Sequence, residues 1–116
     1  MTTTDGSFVD ETLDRMQIIG PAIAKRMFGG YGIFLDGLMF ALIADNELYL
    51  KADKQSTHFF EAEDLPRFSY TKSNGKEYKM SYHLAPEAFF EEADETRLWA
   101  TRAFEAALRS ARKKAR

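Results

Sequence analysis

The chain contains 116 residues, of which 45% are hydrophobic, 29% are charged and none is cysteine, and its formal net charge is −2. This composition is typical of a globular protein, and it excludes disulfides, thiolate chemistry and cysteine-ligated zinc. Because one core is stable at this length and two would each be marginal, we predict a single domain over residues 1–116, with frayed or disordered ends at about 1–6 and 113–116.

The N-terminal stretch carries no recognisable targeting signal. MTTTDGSFVDETLD lacks the basic start and the apolar run of a signal peptide. No segment approaches the roughly 18 consecutive apolar residues that span a membrane. We therefore expect a cytoplasmic protein without membrane contact.

The first half of the chain is predicted to be one helix followed by a meander of three antiparallel strands. The helix covers about residues 8–18, with Ser7 as its N-cap and Gly20-Pro21 after its end. The strands are IAKRMFGGYGIFL, LMFALIA and ELYLKA, separated by Asp36-Gly37 and Asp45-Asn46. Asp-Gly between apolar runs is a strong hairpin signal, because both central residues of a type I′ turn have positive φ.

The second half is predicted to be a short helix in DKQSTHFFEAED, a hairpin from RFSYTK to KEYKMSYHL, and helix to the end. A three-residue hairpin loop over 73–75 is favoured over a two-residue turn, because it places Tyr70 opposite Tyr78 and Phe68 opposite Met80. A turn of helix starts at Pro86, and a long helix runs from a cap at Asp94 to about Lys113.

These elements define an α+β fold of two layers in the order α-β-β-β-α-β-β-α. A five-stranded, largely antiparallel sheet is expected to carry the helices mostly on one face.

Alternation through the predicted turns gives the meander two apolar faces. The face predicted to carry the helices has no polar side chain and comprises Gly32, Phe34, Met39, Ala41, Ile43, Leu48 and Leu50. The opposite face is nearly as apolar, whereas a sheet covered on one side normally exposes polar residues to water. We predict that this opposite face contacts a second copy or a protein partner, the alternative being that the N-terminal or the second helix of the same chain lies across it. The predicted interface residues are Tyr31, Ile33, Leu35, Phe40, Leu42 and Tyr49.

The glycine-rich segment RMFGGYGIFLDG does not fit a phosphate-binding loop. Such loops lead into a helix whose free N–H groups face the anion, but GGYG leads into a predicted strand. Gly29-Gly30 is interpreted instead as a bulge or sharp bend in a long strand, and Gly30 with Gly32 as a site where a helix approaches the sheet.

Residue types suited to catalysis are sparse. His58 lies three residues before Glu61, and Ser81 shares a strand face with His83, on the predicted solvent side of the hairpin. A catalytic zinc needs three protein ligands, and a serine hydrolase needs a base, an orienting acid and an oxyanion hole. We therefore expect no catalytic, metal-binding or cofactor-binding residues, and the sequence identifies no small-molecule substrate.

Basic residues are concentrated at the C-terminus, where RSARKKAR contains no acid and the rest of the chain is acidic overall. Cations there suit the negative end of the helix dipole. The alternative function is nonspecific, salt-sensitive DNA contact through this helix end. The residues for that contact would be Arg109, Arg112, Lys113, Lys114 and Arg116.

Two segments together resemble a known family. RMFGGYGIFLDGLMFALIADNELYLK and the later GKEYKMSYHLAPEAF are similar, in content and order, to the N-terminal domain of the TfoX/Sxy competence regulators. The similarity extends from about Ala24 to Leu108.

The resemblance implies a small bacterial α+β domain without catalytic residues or cofactor. Better-known members promote expression of DNA-uptake genes alongside a separate transcription activator, and in them a helical C-terminal domain follows. That second domain is not expected here. The resemblance favours a stand-alone, non-enzymatic regulatory module that acts through protein contact as a homodimer or with a protein partner.

Overall fold

The computed structural model describes residues 6–27 and 29–115. These residues form three α-helices, a short 3-10 helix and six strands. In chain order these are α1 (Gly6–Met16), β1 (Ile23–Met27), β2 (Gly30–Leu35), β3 (Leu38–Ala44), β4 (Glu47–Lys51), α2 (Thr57–Glu61), β5 (Arg67–Thr71), β6 (Glu77–Leu84), the 3-10 helix (Glu87–Phe90) and α3 (Ala93–Lys114).

The strands form one antiparallel sheet in the order β1-β2-β3-β4-β6-β5. The α+β class and the antiparallel sheet are as predicted, but there are six strands instead of five. The extra strand arises because the predicted first strand is a hairpin: Met27 pairs with Gly30, and Gly29 between them has φ +78°. Gly29, in the left-handed region, therefore lies in a turn between two strands and not in a bulge within one long strand.

Gly30 and Gly32 have a different role from the predicted approach of a helix. A Cβ on Gly30 would lie 2.1 Å from the carbonyl oxygen of Ile43 in β3. A Cβ on Gly32 would lie 2.8 Å from the sulfur of Met27 and 3.1 Å from that of Met39. The glycines therefore allow close contact within the sheet and among its side chains.

The turns after β2, β3 and β5 are confirmed. Asp36 and Gly37 have φ values of 52° and 78°, and Asp45 and Asn46 have 51° and 59°, as type I′ turns require. Gly75 has φ +82° and Tyr70 lies opposite Tyr78, which is the predicted three-residue loop. The regular ladder stops before the predicted pair of Phe68 and Met80, because the register shifts between Arg67 and Ser69.

A β-bulge in β3 inverts part of the predicted face assignment. Ile33 lies opposite Ala41 and Phe34 opposite Met39, so Phe40 is the extra residue. Paired residues share a face, and a one-residue slip moves every side chain beyond it to the other face. The assignment was therefore wrong for β2 and for the first residues of β3, and right from Ala41 onward.

The helices cover the face that carries Ile33, Ala41, Leu50 and His83. Trp99 of α3 and Phe60 of α2 are buried there with ring centroids 5.0 Å apart. The apolar core on this face also contains side chains from α1 and from the 3-10 helix, and includes Val9, Met16, Phe40, Ile43, Leu48, Phe89, Ala100 and Ala103.

Four of the six predicted interface residues belong to this helix-covered face. Ile33 and Phe40 are 0% exposed and Leu35 is 5% exposed, and the half-buried Tyr31 packs against the same core. The Phe40 ring meets the Phe104 ring of α3 edge-on at 5.8 Å. Helices of the same chain therefore cover these four residues, as the alternative held, but the helix whose ring contacts Phe40 is α3 and not the N-terminal or second helix. The bulge in β3 is the reason that these residues face the helices.

The helix ends also differ from the predictions. Ser7 lies inside α1 rather than before it, and α3 begins at Ala93 with Glu92 as its N-cap, so Asp94 lies in the first turn. Of the ends predicted to fray, residues 1–5 and 116 lie outside the described residues, whereas Gly6 starts α1 and α3 continues to Lys114. None of the described helices has the length and apolar character needed to cross a membrane.

Candidate functional site

Two surfaces of the described molecule combine side chains in a way that suits recognition. The first is the sheet face opposite the helices, here called the outer face. The second is a basic cleft between the sheet and α3. The sequence predicted an apolar face with partly different members. It predicted no cleft, although two of the residues predicted for DNA contact, Arg109 and Lys113, line it.

Apolar side chains from all six described strands make up the outer face. Phe68 meets Tyr49 with ring centroids 5.0 Å apart, which extends the face from β4 across to β5. Leu42 lies opposite Tyr49 and Tyr82 lies opposite Lys51 on this face, and the two residues are only 7% and 6% exposed. The outer face comprises Ile23, Met27, Phe34, Met39, Leu42, Tyr49, Phe68 and Tyr82.

Of the six predicted interface residues, Leu42 and Tyr49 do lie on the outer face. The Tyr49 hydroxyl donates to Glu47 Oε2 at 3.2 Å, and the Tyr82 hydroxyl donates to the Met39 carbonyl at 3.5 Å. Burial, assisted by the Glu47 charge, raises the pKa of Tyr49 to about 12, and burial raises the pKa of Tyr82 to about 12. Both phenols therefore stay protonated as hydrogen-bond donors at neutral pH.

Charges of both signs border the outer face. The Lys25 Nζ lies 4.9 Å from the ring centroid of Phe34, and the Lys51 Nζ lies 5.1 Å from that of Tyr82. Glu47 supplies a carboxylate beside Tyr49. A face bordered in this way suits a partner that also presents positive and negative charges, because each charge can then meet its opposite.

The basic cleft has a volume of about 480 Å³. The end of β4 and the loop before α2 form one side, β5 and β6 form the second, and the last turns of α3 form the third. Its charged side chains are cations except for one carboxylate, among the lining residues that the structure describes. The charged residues are Lys51, Lys54, Arg67, Arg109, Lys113 and Asp53.

Asp53 holds α3 against the loop before α2. Its Oδ2 accepts from Arg109 Nε at 2.6 Å and its Oδ1 accepts from Arg109 Nη2 at 3.0 Å, which is a bidentate ion pair. Oδ1 also accepts from the backbone N–H groups of Gln55 and Ser56. The Arg109 hydrogen bonds are the main reason that the pKa of Asp53 falls to about 2.

Two further cations of the cleft are fixed in position. The Lys51 Nζ donates to Ser81 Oγ at 3.0 Å, and burial, followed by the Lys114 charge, lowers the Lys51 pKa. The Arg67 Nε donates to the Met80 carbonyl at 3.0 Å. Neither cation has a carboxylate within ion-pair distance among the described residues.

The residues predicted for DNA contact divide into three groups. Arg109 is paired with Asp53, and Lys113 lines the cleft. Arg112 and Lys114 are exposed at the end of α3, and Arg116 lies outside the described residues. The cleft adds cations that the sequence did not single out, Lys51, Lys54 and Arg67, because β5 and the end of β4 meet α3 only in the folded chain.

The histidines do not form the arrangements considered from the sequence. His83 is 2% exposed on the helix-covered face, not on a solvent side, because α2 packs over it and Phe60 stacks on its ring at 4.8 Å. Its Nδ1 donates to the Leu65 carbonyl at 2.8 Å, so in the neutral ring Nε2 accepts from the Thr57 hydroxyl at 2.8 Å. His58 is exposed, and no described group of three or more His, Asp or Glu side chains is arranged to hold a metal ion.

Comparison with known proteins gives two matches. The model of the TfoX N-terminal domain family matches residues 14–107. Protein Sxy of Escherichia coli (strain K12) is 28% identical over 72 residues, which cover 62% of this chain and 34% of Sxy. The matched part of the chain thus spans about a third of the length of that relative.

Proposed function

The chain belongs to the TfoX N-terminal domain family, and from that premise we propose that it is a non-enzymatic, competence-type regulatory module that acts through protein contact in the cytoplasm. The outer face carries this proposal, because an apolar sheet face without helices over it is the kind of surface that marks a protein interface. We take residues 1–116 to act as one domain.

We propose a second copy of the chain as the partner on the outer face. The charged margin contains Lys25, Lys51 and Glu47, so a two-fold related copy offers a carboxylate for a lysine and a lysine for a carboxylate. Aromatic residues and methionine dominate the face, and these types are enriched at interface centres.

The size of the sheet indicates how tight such a dimer would be. Strand spacings of about 4.8 Å and strands of about six residues give the outer face roughly 500 Å² in projection. Specific interfaces of the weak class bury up to about 600 Å² per partner. We therefore expect a reversible dimer with a dissociation constant in the micromolar range.

Sedimentation velocity over a protein concentration series tests the dimer. Met39→Glu places a charge in the outer face and is expected to give monomer at concentrations where the parent chain dimerises. Leu98→Glu is the matched control, because Leu98 is 40% exposed on α3, away from the outer face. A parent chain that is monomeric at high micromolar concentration would refute the dimer, and a folded Met39→Glu dimer would refute this surface.

The regulatory part of the proposal has its own readout. Induced expression of the chain in its native host is expected to raise the transcripts of DNA-uptake genes, and Met39→Glu is expected to abolish that rise while Leu98→Glu retains it. Unchanged transcripts with the parent chain would contradict a competence-type role.

Direct DNA contact through the end of α3 is the second candidate, supported by the exposure of Arg112 and Lys114 next to the basic cleft. The combined substitution Arg112→Gln and Lys114→Gln is expected to weaken binding to a duplex and to reduce its salt dependence. Lys72→Gln with Lys76→Gln, exposed cations of the β5–β6 hairpin, is the control. Equal affinity of both double variants would exclude the helix end.

A further inference from the structure

The basic cleft differs from the outer face in its chemistry as well as in its position. Its 480 Å³ lies within the range of small-molecule sites, about 300–1,000 Å³. Two of its lining residues, Ala52 and His83, are each 2% exposed. Cations from three separate parts of the chain converge on it.

The charge of the cleft is largely uncompensated. The single carboxylate, Asp53, is occupied by both hydrogen bonds from Arg109. Lys51, Lys54, Arg67 and Lys113 have no ion-pair partner among residues 6–27 and 29–115. Burial and the Lys114 charge lower the Lys51 pKa despite the opposing Asp53 charge, and a bound anion would offset that cost of the charged form.

Donors remain available in addition to charge. An ammonium group has three N–H bonds, and the Lys51 Nζ donates one of them to Ser81 Oγ. Arg67 donates from Nε and Nη2 to the carbonyls of Met80 and Lys79, which orients the guanidinium and leaves Nη1 without an acceptor among the described residues. The hydroxyls of Ser81 and Ser110 also line the cleft.

These features fit an anion with many acceptor oxygens and more than one charge. A single carboxylate would engage only part of the cations, whereas phosphate groups accept charge-assisted hydrogen bonds from several lysines and arginines together. No described lining residue is Phe, Tyr or Trp, so the cleft offers no platform on which a nucleobase stacks. The cations also surround one concavity instead of following a stripe along a nucleic-acid backbone.

We propose that the cleft between β4, β5, β6 and α3 binds a compact small molecule that carries two phosphate groups, held by Lys51, Lys54, Arg67 and Lys113. The shared chemistry is a pair of phosphates, either joined as a diphosphate or separated on a small carbon skeleton as a bisphosphate. Binding there gives the protein a site for a small-molecule signal that borders the outer face at Lys51 and otherwise uses different residues.

Isothermal titration calorimetry at low, fixed salt tests this site with three probes: inorganic pyrophosphate, fructose 1,6-bisphosphate and a 12-base-pair DNA duplex. We expect micromolar binding of at least one phosphate probe, and the tighter one identifies the diphosphate or the bisphosphate arrangement. Lys51→Gln and Arg67→Gln are each expected to weaken that binding about tenfold or more, through loss of a charge-assisted contact. Lys76→Gln, an exposed cation on the β5–β6 hairpin, is the control and is expected to bind as the parent does.

Three results would overturn the proposal. The first is that neither phosphate probe binds at 1 mM. The second is that the control substitution weakens binding as much as the two cleft substitutions do, which would indicate general charge attraction. The third is binding of the duplex without binding of either phosphate probe, which would assign the cleft to nucleic acid. Circular dichroism of each variant checks that a loss of binding is not a loss of fold, and Lys54→Gln replaces any variant that fails to fold.

Discussion

Replacing Asp53 by Asn tests the contact that joins α3 to the loop before α2. The substitution keeps an oxygen acceptor for the Gln55 and Ser56 backbone N–H groups but removes the charge that pairs with Arg109. We expect the free energy of unfolding to fall, because the guanidinium is left beside a neutral amide.

The magnitude follows from the Asp53 pKa. A shift from 3.8 to about 2 would correspond to at most about 2 kcal/mol at neutral pH. The two side chains are 26% and 25% exposed, so solvent screening reduces our expectation to about 1 kcal/mol.

The pH dependence has a defined sign. The folded-state pKa lies below the unfolded value of 3.8, so the contribution of Asp53 is fully present above pH 3.8 and is lost as the pH falls towards about 2. Urea unfolding followed by circular dichroism is expected to separate the parent and Asp53→Asn at pH 7 and to show the difference shrinking below pH 4. Glu63→Gln, at an exposed position after α2, is the control. Equal stability at pH 7, or a difference that persists at pH 2, would refute the contribution of this ion pair.

Two further predictions concern the core of the sheet. Gly30→Ala is expected to lower the free energy of unfolding by about 3 kcal/mol or more, because its Cβ would lie 2.1 Å from the Ile43 carbonyl oxygen. Gly37→Ala is expected to lower it by about 1 kcal/mol, because Gly37 has φ +78° but open space around the added Cβ. Equal losses in urea unfolding would contradict the steric argument. His83→Phe retains a ring but removes both hydrogen bonds of the buried imidazole, and is expected to cost about 2 kcal/mol. The exposed His58→Phe is expected to stay within about 0.5 kcal/mol of the parent, and a neutral His83→Phe would show that those hydrogen bonds contribute nothing.

Local chemistry made most of the turns predictable. Asp36-Gly37, Asp45-Asn46 and Gly75 adopt positive φ, and these residue types tolerate that region at low cost. Gly29-Gly30 was ambiguous, because glycine pairs occur both at bulges and at turns. Only the pairing of β1 with β2 distinguishes the two, and that pairing depends on contacts outside the segment.

The inverted face assignment has a more general cause. A sequence reveals a register slip only when one face of the sheet is polar, because the slip would then place polar residues in the core. Both faces of this meander are apolar, so the bulge at Phe40 left no mark in the hydrophobic pattern. Tyr31, Ile33, Leu35 and Phe40 were assigned together to the wrong face because they all precede or form the bulge.

The basic residues at the C-terminus show why counting charges along the sequence does not define a binding surface. Arg109 contributes to the fold through Asp53, Lys113 lines the cleft, and Arg112 and Lys114 face solvent. Deleting residues 109–116 would therefore remove a tertiary ion pair together with the surface charge, and a loss of DNA binding would have two explanations. Substituting Arg112 and Lys114 changes the exposed charge and leaves the Asp53 contact in place, so only that experiment separates an electrostatic surface from a destabilised helix.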